Sequence, residues 1–512
     1  MHISLVIPPI TDFYTTSHRL SFLGVHGIAQ ALTAERHMVT VFNFPAQKRS
    51  RRKIPLPTEL VYLQPYLIPG ECGPTAFFST YHRFGPDLET CTSQILQRDP
   101  ELILLTCFAF AYADDTLELA EMLYEKAPQI PIIVGGAGAT ALPAYFLRHQ
   151  AIFGVYCGEA EVSLINLVSS ISRGSPLTAI SNFIPSGNKP ESLVPRYTEA
   201  SQMYSAPMVS VIQKHTITLS ISVSRGCPKR CRFCSNFLTH GRTFRCAPIE
   251  RVTKEISEIL SPLPLEKHIH ICFEDDNLLV NKAYFLQLLA HIHHIRPDAT
   301  FTMENGIDYL LLDKELIDTL ISFGMIQCNL SLGSVSKQQL LQVNRPYSFI
   351  HYEQIIHHLA TRKIPTITYF ICGLAGDTRE STVRSLVYLA DQPTIIGISP
   401  YYAVPNLPDY RESAPFLSHP ASWCKGSSAY PWNGLTTQEI ITAFRLSRLI
   451  NTGRTTSSYI GNPIADEAIK RSFQEKRLYT LKKEAHQWYL TEVPAYDHEM
   501  VNLFMDIVYT TD

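Results

Sequence analysis

The chain has 512 residues, with 44 lysines and arginines against 46 aspartates and glutamates, 45% hydrophobic residues and 18% charged residues. This composition excludes a disordered chain, a collagen-like fibre and a small disulfide-stapled module. A formal net charge of −2 gives no global attraction to nucleic acid, and the length predicts about three domains. Apolar runs such as Leu102–Leu105 and Ile130–Val134 are far shorter than the ~20 residues of a membrane span. The N-terminal MHISLVIPPI lacks a basic leader and carries Pro8 and Pro9 within its apolar stretch, so it does not read as a signal peptide. The expectation is a cytoplasmic protein whose 12 cysteines stay reduced.

Residues 1–185 alternate short apolar runs with helical patterns. His2–Ile7 reads as a strand, Leu23–Ala34 as a helix, Met38–Phe44 and Leu102–Cys107 as strands, Asp115–Lys126 as a helix, and Ile130–Val134 and Ile152–Tyr156 as strands. Strands alternating with helices predict a parallel α/β sheet of Rossmann type, whose ligands sit at the carboxyl ends of the strands. Those ends carry Pro8–Pro9, the run Gly135, Gly136, Ala137, Gly138, and the turn Cys157, Gly158, Glu159. Between the second and third strands, residues 45–98 read as irregular and include the basic run Lys48, Arg49, Arg51, Arg52, Lys53, read as a solvated loop. A Pro/Gly/Ser-rich stretch from Ser181 to Pro195 opens a linker placed at 186–216.

A second βα series fills 217–405. Its expected strands are Thr218–Val223, His268–Phe273, Thr300–Met303, Gln327–Ser331, Pro365–Cys372 and Ile395–Ser399. The expected helices are 249–260, 283–294, 314–323, 336–343, 350–362 and 379–390. Six strands with crossover helices predict a partial (β/α)6 barrel. Residues 406–512 read as a mostly helical C-terminal region, with helices at 436–450 and 463–485. The tryptophans Trp423 and Trp432 in it read as core packing, and the histidines at 291, 293, 294, 357 and 358 as surface or helix-end residues.

The chemistry lies in the loop after the first strand of this series. Cys227, Cys231 and Cys234 are spaced C-x3-C-x2-C, compact enough for one loop to wrap an inorganic core. A structural zinc site needs a fourth ligand, and Cys246, twelve residues on, is poorly placed to be it. Three cysteines instead suit a [4Fe–4S] cluster with one iron free of protein ligands. Arg225, Lys229, Arg230 and Arg232 would offset its negative charge.

This loop, with Phe233 in its aromatic position, resembles the radical S-adenosylmethionine (SAM) superfamily. The resemblance implies that Cys227, Cys231 and Cys234 ligate the cluster, and that reductive cleavage of SAM yields methionine and a 5′-deoxyadenosyl radical. It extends in order along the barrel. The second strand ends in Phe273, Glu274, Asp275, Asp276, Asn277, and the third leads to Glu304, Asn305, Gly306, Ile307. The fourth carries Ser331, Leu332, Gly333, Ser334, with Val335 where the family usually has glutamate. Arg345 stands where the family carries a basic residue, Gly373–Thr378 resembles the fifth-strand turn, and Tyr402–Pro408 the sixth-strand exit. By resemblance, Phe233, Glu274, Asp275, Asn305, Ser331, Gly333, Arg345 and Gly373 are SAM-site candidates.

The N-terminal domain resembles the cobalamin (B12)-binding domain that precedes this barrel in one branch of the superfamily. Pro9, Gly135, Gly136, Gly138, Gly158 and Glu159 are the candidate contacts. The D-x-H-x-x-G motif that places a histidine on cobalt is missing, and His18 and His26 lack its context. The implied activity is C-methylation, or a related modification, of an unidentified small-molecule or peptide substrate, with flavodoxin or ferredoxin as electron donor and no nucleic acid partner. Two alternatives stand: a methylthiotransferase-like enzyme, and a non-catalytic cobalamin- or cluster-binding sensor.

Overall fold

A computed structural model describes residues 1–13, 22–47, 51–161, 163–177, 180–188, 197–203, 206–413, 420–452, 463–484 and 487–510. His18, Lys48, Arg49 and residues 189–195 of the stretch from Ser181 to Pro195 lie outside the described residues. Arg51, Arg52 and Lys53 are exposed, but Arg52–Lys53 is a short strand paired antiparallel with His82–Phe84 and not a loop. No described helix is long and apolar enough to cross a membrane.

The N-terminal sheet runs in the order Met38–Asn43, His2–Ile7, Leu102–Thr106, Ile132–Gly135, Gly154–Tyr156, Phe183–Pro185. All pairs are parallel except the last. Leu102–Leu105 is buried without a break, as a strand covered on both faces must be. Helices Leu23–Ala34 and Ala113–Lys126 follow the first and third of the predicted strands. The strand order reverses beside His2–Ile7, so a crevice opens above the carboxyl ends of His2–Ile7 and Leu102–Thr106.

The barrel has its six expected strands: Thr216–Ile221, His268–Phe273, Thr300–Met303, Cys328–Gly333, Thr366–Cys372 and Ile395–Pro400. They form two parallel halves bridged by the isolated pairs Phe301 to Met325 and Ile307 to Leu330. Asp313, Ser336, Ser348 and Thr378 each cap an intervening helix, accepting from a backbone N–H of its first turn. Helix Ile249–Leu260 buries Val252, Ile256 and Leu260 on one stripe. Its partner helices and the strands contribute to one continuous core.

Three features depart from the expectations. Met208–Ile212, within the stretch read as a linker, is a strand paired antiparallel to Thr216–Ile221. Within 45–98 there is a 3-10 helix over Thr58–Tyr66 and a helix over Leu88–Leu96, and Leu60, Leu63, Ile68 and Phe77 join the barrel core. The helix expected at 463–485 ends at Glu475, and Tyr479–Glu484 pairs with Gln487–Glu492 as a hairpin. That hairpin takes its order from the loop beside it: Cys72 N–H donates to Leu481 O at 2.9 Å, and Lys483 N–H to Gly70 O at 2.9 Å. Helices Thr437–Thr452 and His498–Thr510 complete the C-terminal region. Asn451 closes the barrel edge, its amide bonding Ile396 N–H and C=O at 2.8 Å each.

Candidate active site

The three cysteines sit on a loop whose shape is set at its root. Gly226 has φ +81°, and a Cβ there would lie 2.3 Å from Thr243 O, so only glycine turns the chain into the loop. Asp276 accepts from Gly226 N–H at 2.9 Å. Asp275, fully enclosed, accepts from Val223 N–H at 2.9 Å and from the N–H and hydroxyl of Ser224 at 2.6 Å each. From this anchored start, Cys227, Cys231 and Cys234 all face one cavity of about 830 Å³ at the barrel's upper end. Among the described residues no three His, Cys, Asp or Glu side chains converge as a single metal ion requires. The three thiols are instead spread around shared space, which suits a larger inorganic core. Asn277 Nδ2 lies 3.7 Å from Cys227 Sγ, and Arg345 Nη1 lies 3.8 Å from Cys231 Sγ. Donors directed at sulfur favour thiolates and the ligation of iron. Cys246 does not line the cavity, and burial pushes its thiol up to about 11.

Of the other barrel candidates, Phe233, Asn305, Ser331, Gly333 and Arg345 line the same cavity. Asn305 is fixed by its Nδ2 donating to Glu274 O at 2.9 Å, and Arg345 by donating to Ser331 O. Glu274, Asp275 and Gly373 do not line it. Asp275 is spent on the loop root, and Gly373 N–H donates to Asp377 Oδ2 at 2.7 Å within its own turn. Asp276 and Asn277 take the cavity positions at the second strand's end. Val335 packs against the barrel core, so an apolar side chain fits where the family's glutamate would stand. No motif points to Asp308, which pairs with Lys229 and lies 4.0 Å from Arg345, nor to Tyr369 and His240 on the cavity wall. Acidic and basic groups thus share one wall, as a zwitterionic amino acid requires. The basic residues of the cysteine loop are largely neutralised: Arg225 by Glu161, Lys229 by Asp308, and Arg232 by Asp409 at 2.9 Å. Arg345 brings a guanidinium nitrogen to 3.8 Å from Cys231 Sγ although it also lies near Asp308.

A second cavity, of about 310 Å³, opens at the carboxyl ends of the N-terminal strands. Gly135, Gly136, Gly158 and Glu159 line it, together with the apolar Leu5, Val25, Leu104 and Leu164. Gly136 has φ +100°, and a Cβ there would sit 2.6 Å from Cys107 O, so the backbone itself forms the wall. A cradle of glycine backbone and aliphatic side chains of this size suits close backbone approach by part of a larger cofactor such as cobalamin. Pro9 and Gly138 lie outside the lining: Pro9 packs under Gly85, and Gly138 against Cys107 and Ala109. His26 is not in it either. Ala137, Thr239 and His240 line both cavities, so a single layer of side chains separates them.

Glu159 is buried where the two domains meet. Arg245 donates to both its oxygens at 2.8 and 2.9 Å, Thr198 N–H donates at 2.6 Å, His240 Nδ1 lies at 3.0 Å, and Arg225 at 3.9 Å. Burial alone would raise its pKa, but the bonds from His240 and Arg245 and the charge of Arg225 outweigh it and hold the carboxyl at about 2. Asp275 shows the opposite balance. Burial wins over its hydrogen bonds and pushes it up to about 7. A raised carboxyl stabilises the fold fully below its unfolded value of 3.8 and loses that contribution as pH rises through about 7. Asp275→Asn keeps the acceptor and cannot ionise. Relative to it, the cluster-free wild type should lose about 4 kcal/mol between pH 4 and pH 8, read by urea unfolding. Equal pH dependence in the two proteins would contradict the assignment.

Residues 221–389 match the Radical SAM superfamily, and residues 80–168 match the B12 binding domain. Among curated proteins the chain is similar to the bacteriochlorophyllide d C-12(1)-methyltransferase of Chlorobaculum tepidum, 23% identical over 56% of this chain and 61% of that protein. It is also similar to the hopanoid C-3 methylase of Methylococcus capsulatus, 22% identical over 49% of this chain and 48% of that one. The chain thus spans between about half and three fifths of these relatives. Among solved structures it resembles the radical SAM methyltransferase TsrM of Kitasatospora setae, with cobalamin and a [4Fe–4S] cluster bound. The TM-score is 0.58 at 17% identity, over 83% of this chain and 84% of that one. The cobalamin-dependent radical enzyme OxsB with aqua-cobalamin bound gives 0.53 at 14% identity, over 76% of this chain and 52% of that one. At these identities the structural likeness shows a shared fold, a B12-binding domain followed by a radical SAM barrel.

Proposed function

From a chain that carries a radical SAM domain behind a B12-binding domain, we propose an enzyme that transfers a methyl group to carbon of an organic substrate. The observation that carries this reading is the shared wall of Ala137, Thr239 and His240 between the cysteine-lined cavity and the glycine-lined one. When bound, a [4Fe–4S] cluster supplies the electron for reductive cleavage of SAM, and cobalamin supplies a transferable methyl group.

The chain's own residues do the rest. Cys227, Cys231 and Cys234 hold the cluster. Arg345 and Asn277 direct N–H donors at two of the sulfurs. The Lys229–Asp308 pair and Arg345 bring both signs of charge to the wall that the amino-acid portion of SAM would meet, and Phe233 and Tyr369 line the same cavity. Asp275 and Asp276 fix the loop root, and Glu159 fixes the barrel against the N-terminal domain. The working domain map is 1–185, 186–216, 217–405 and 406–512. The reading places the enzyme in the cytoplasm, where a flavodoxin or ferredoxin is available as reductant. A methylthiotransferase reading gains no support from the N-terminal cysteines, since Cys91, Cys107 and Cys157 are buried in that domain's core.

The test is anaerobic reconstitution, with iron, sulfide and cobalt analysis, followed by reduction with SAM present. The expected outcome is bound iron and cobalamin, with release of 5′-deoxyadenosine. An intact cluster without 5′-deoxyadenosine would favour the sensor alternative and sink the enzymatic one.

A further inference from the structure

The two cavities are joined by more than a wall. The turn Gly158–Glu161 lines the N-terminal cavity, and its two glutamates reach across the domain boundary to the base of the cysteine loop. Glu161 pairs with Arg225, two residues before Cys227. Glu159 holds Arg245, which faces Arg225 in a two-residue antiparallel ladder, and His240, on the helix Asn236–His240 that follows Cys234. Both ends of the cysteine loop are therefore tied to one turn of the B12-side cavity. Glu159 and Glu161 have side chains 0% and 5% exposed, so water does not compete for these bonds.

We infer that Glu159 is a positioning residue that couples the two cofactor sites: filling the N-terminal cavity and ordering the cysteine loop favour each other through Glu159, His240, Arg225 and Arg245. This rests on the proposed cobalamin and cluster sites and adds a linkage between them. The physical basis is reciprocity. A group that fixes the turn at 158–161 presents Glu159 and Glu161 in the geometry that holds the loop, and a loop fixed around its cluster presents Arg225 and His240 to the turn. By thermodynamic necessity each occupant then tightens the other by the same factor.

The experiment is an anaerobic optical titration of hydroxocobalamin into the full chain, once cluster-free and once reconstituted. The ratio of the two dissociation constants is the readout. Wild type should bind at least about 5-fold more tightly with the cluster in place, the lower end of usual coupling. Glu159→Gln should bring the ratio close to one. His240→Ala, which removes one donor from the partly open side of the knot, is the second variant should Glu159→Gln not fold, and should lower the ratio in the same direction. Tyr62→Phe is the control. It removes a bond across the chain, Tyr62 OH to Ser428 O at 2.9 Å, away from both cavities, and should leave the ratio as in wild type. A merely structural role for Glu159 would weaken binding equally in both states and preserve the ratio. A wild-type ratio of one, or a full ratio retained in Glu159→Gln or in His240→Ala, overturns the coupling while the enzymatic reading stands. No hydroxocobalamin binding by wild type in either state overturns both.

Discussion

Cys231→Ala, reconstituted with iron and sulfide without oxygen, is expected to lack the broad visible absorption of thiolate-ligated iron and to release no 5′-deoxyadenosine from SAM. The loss should be complete rather than graded. Among the described residues the cavity offers only the three cysteines as thiols, and no neighbouring sulfur can replace the missing one. Cys231 is also the most enclosed of the three, at 6% exposure, and its sulfur receives the Arg345 guanidinium. Removing it leaves that cation facing a void with two ligands remaining, too few to hold a cube that already has one open iron. Cys246→Ala is the matched control, since this thiol lies only twelve residues after Cys234 and outside the cavity. It should reconstitute with the wild-type spectrum. A coloured Cys231→Ala protein, or a colourless Cys246→Ala one, would mean that the ligand set is misassigned.

The second large effect concerns the pair Glu71–Arg445, which has no part in the chemistry. Both side chains are 0% exposed. Arg445 donates to Glu71 at 2.5 and 3.3 Å, to Thr75 O at 2.9 Å and to Tyr66 O at 3.0 Å, and Glu71 also accepts from Phe77 N–H at 3.4 Å. The pair therefore fastens the segment after the second N-terminal strand to the C-terminal helix Thr437–Thr452. Arg445→Met leaves a buried carboxylate and two carbonyls without their donor, and should cost about 3–5 kcal/mol of unfolding free energy. Glu71→Leu strands the guanidinium and should cost a similar amount. The double variant Glu71→Leu/Arg445→Met removes both charges and should recover much of the loss, because the greatest penalty belongs to a lone buried charge. Urea unfolding of all three decides it. Additive losses in the double variant would show that the two residues do not act as a pair.

The lesson of the hairpin at 479–492 is specific. Its first strand does not alternate, since Tyr479, Thr480 and Leu481 are all buried, and the stretch before it is helical, so a 3.6-residue period carried too far hid the change. What makes Tyr479–Glu484 a strand is an edge supplied by Gly70–Cys72, some four hundred positions earlier. Leu60, Leu63 and Phe77 are similar. They sit in a stretch with little periodicity and become core because the barrel offers them a surface. Glu159 was legible as part of a glycine-rich turn but not as the hub of an ion cluster, since its partners Arg225, His240 and Arg245 carry no motif that points to it. Asp275 looked like a ligand because it ends a strand, and only its three hydrogen bonds to the loop root reveal what it does.

Features written at short range are legible from the residues alone. These are the cysteine spacing with Phe233, the order of six barrel strands and their helices, and the parallel N-terminal sheet. Local dihedral preference, burial period and ligand spacing act over a few residues, so each leaves its trace there. The tertiary structure decided which side chains share a cavity, which carboxylates are spent on the scaffold, and that one layer of residues divides two sites. Those outcomes depend on contacts between residues tens to hundreds of positions apart, where distance along the chain carries no information about distance in space.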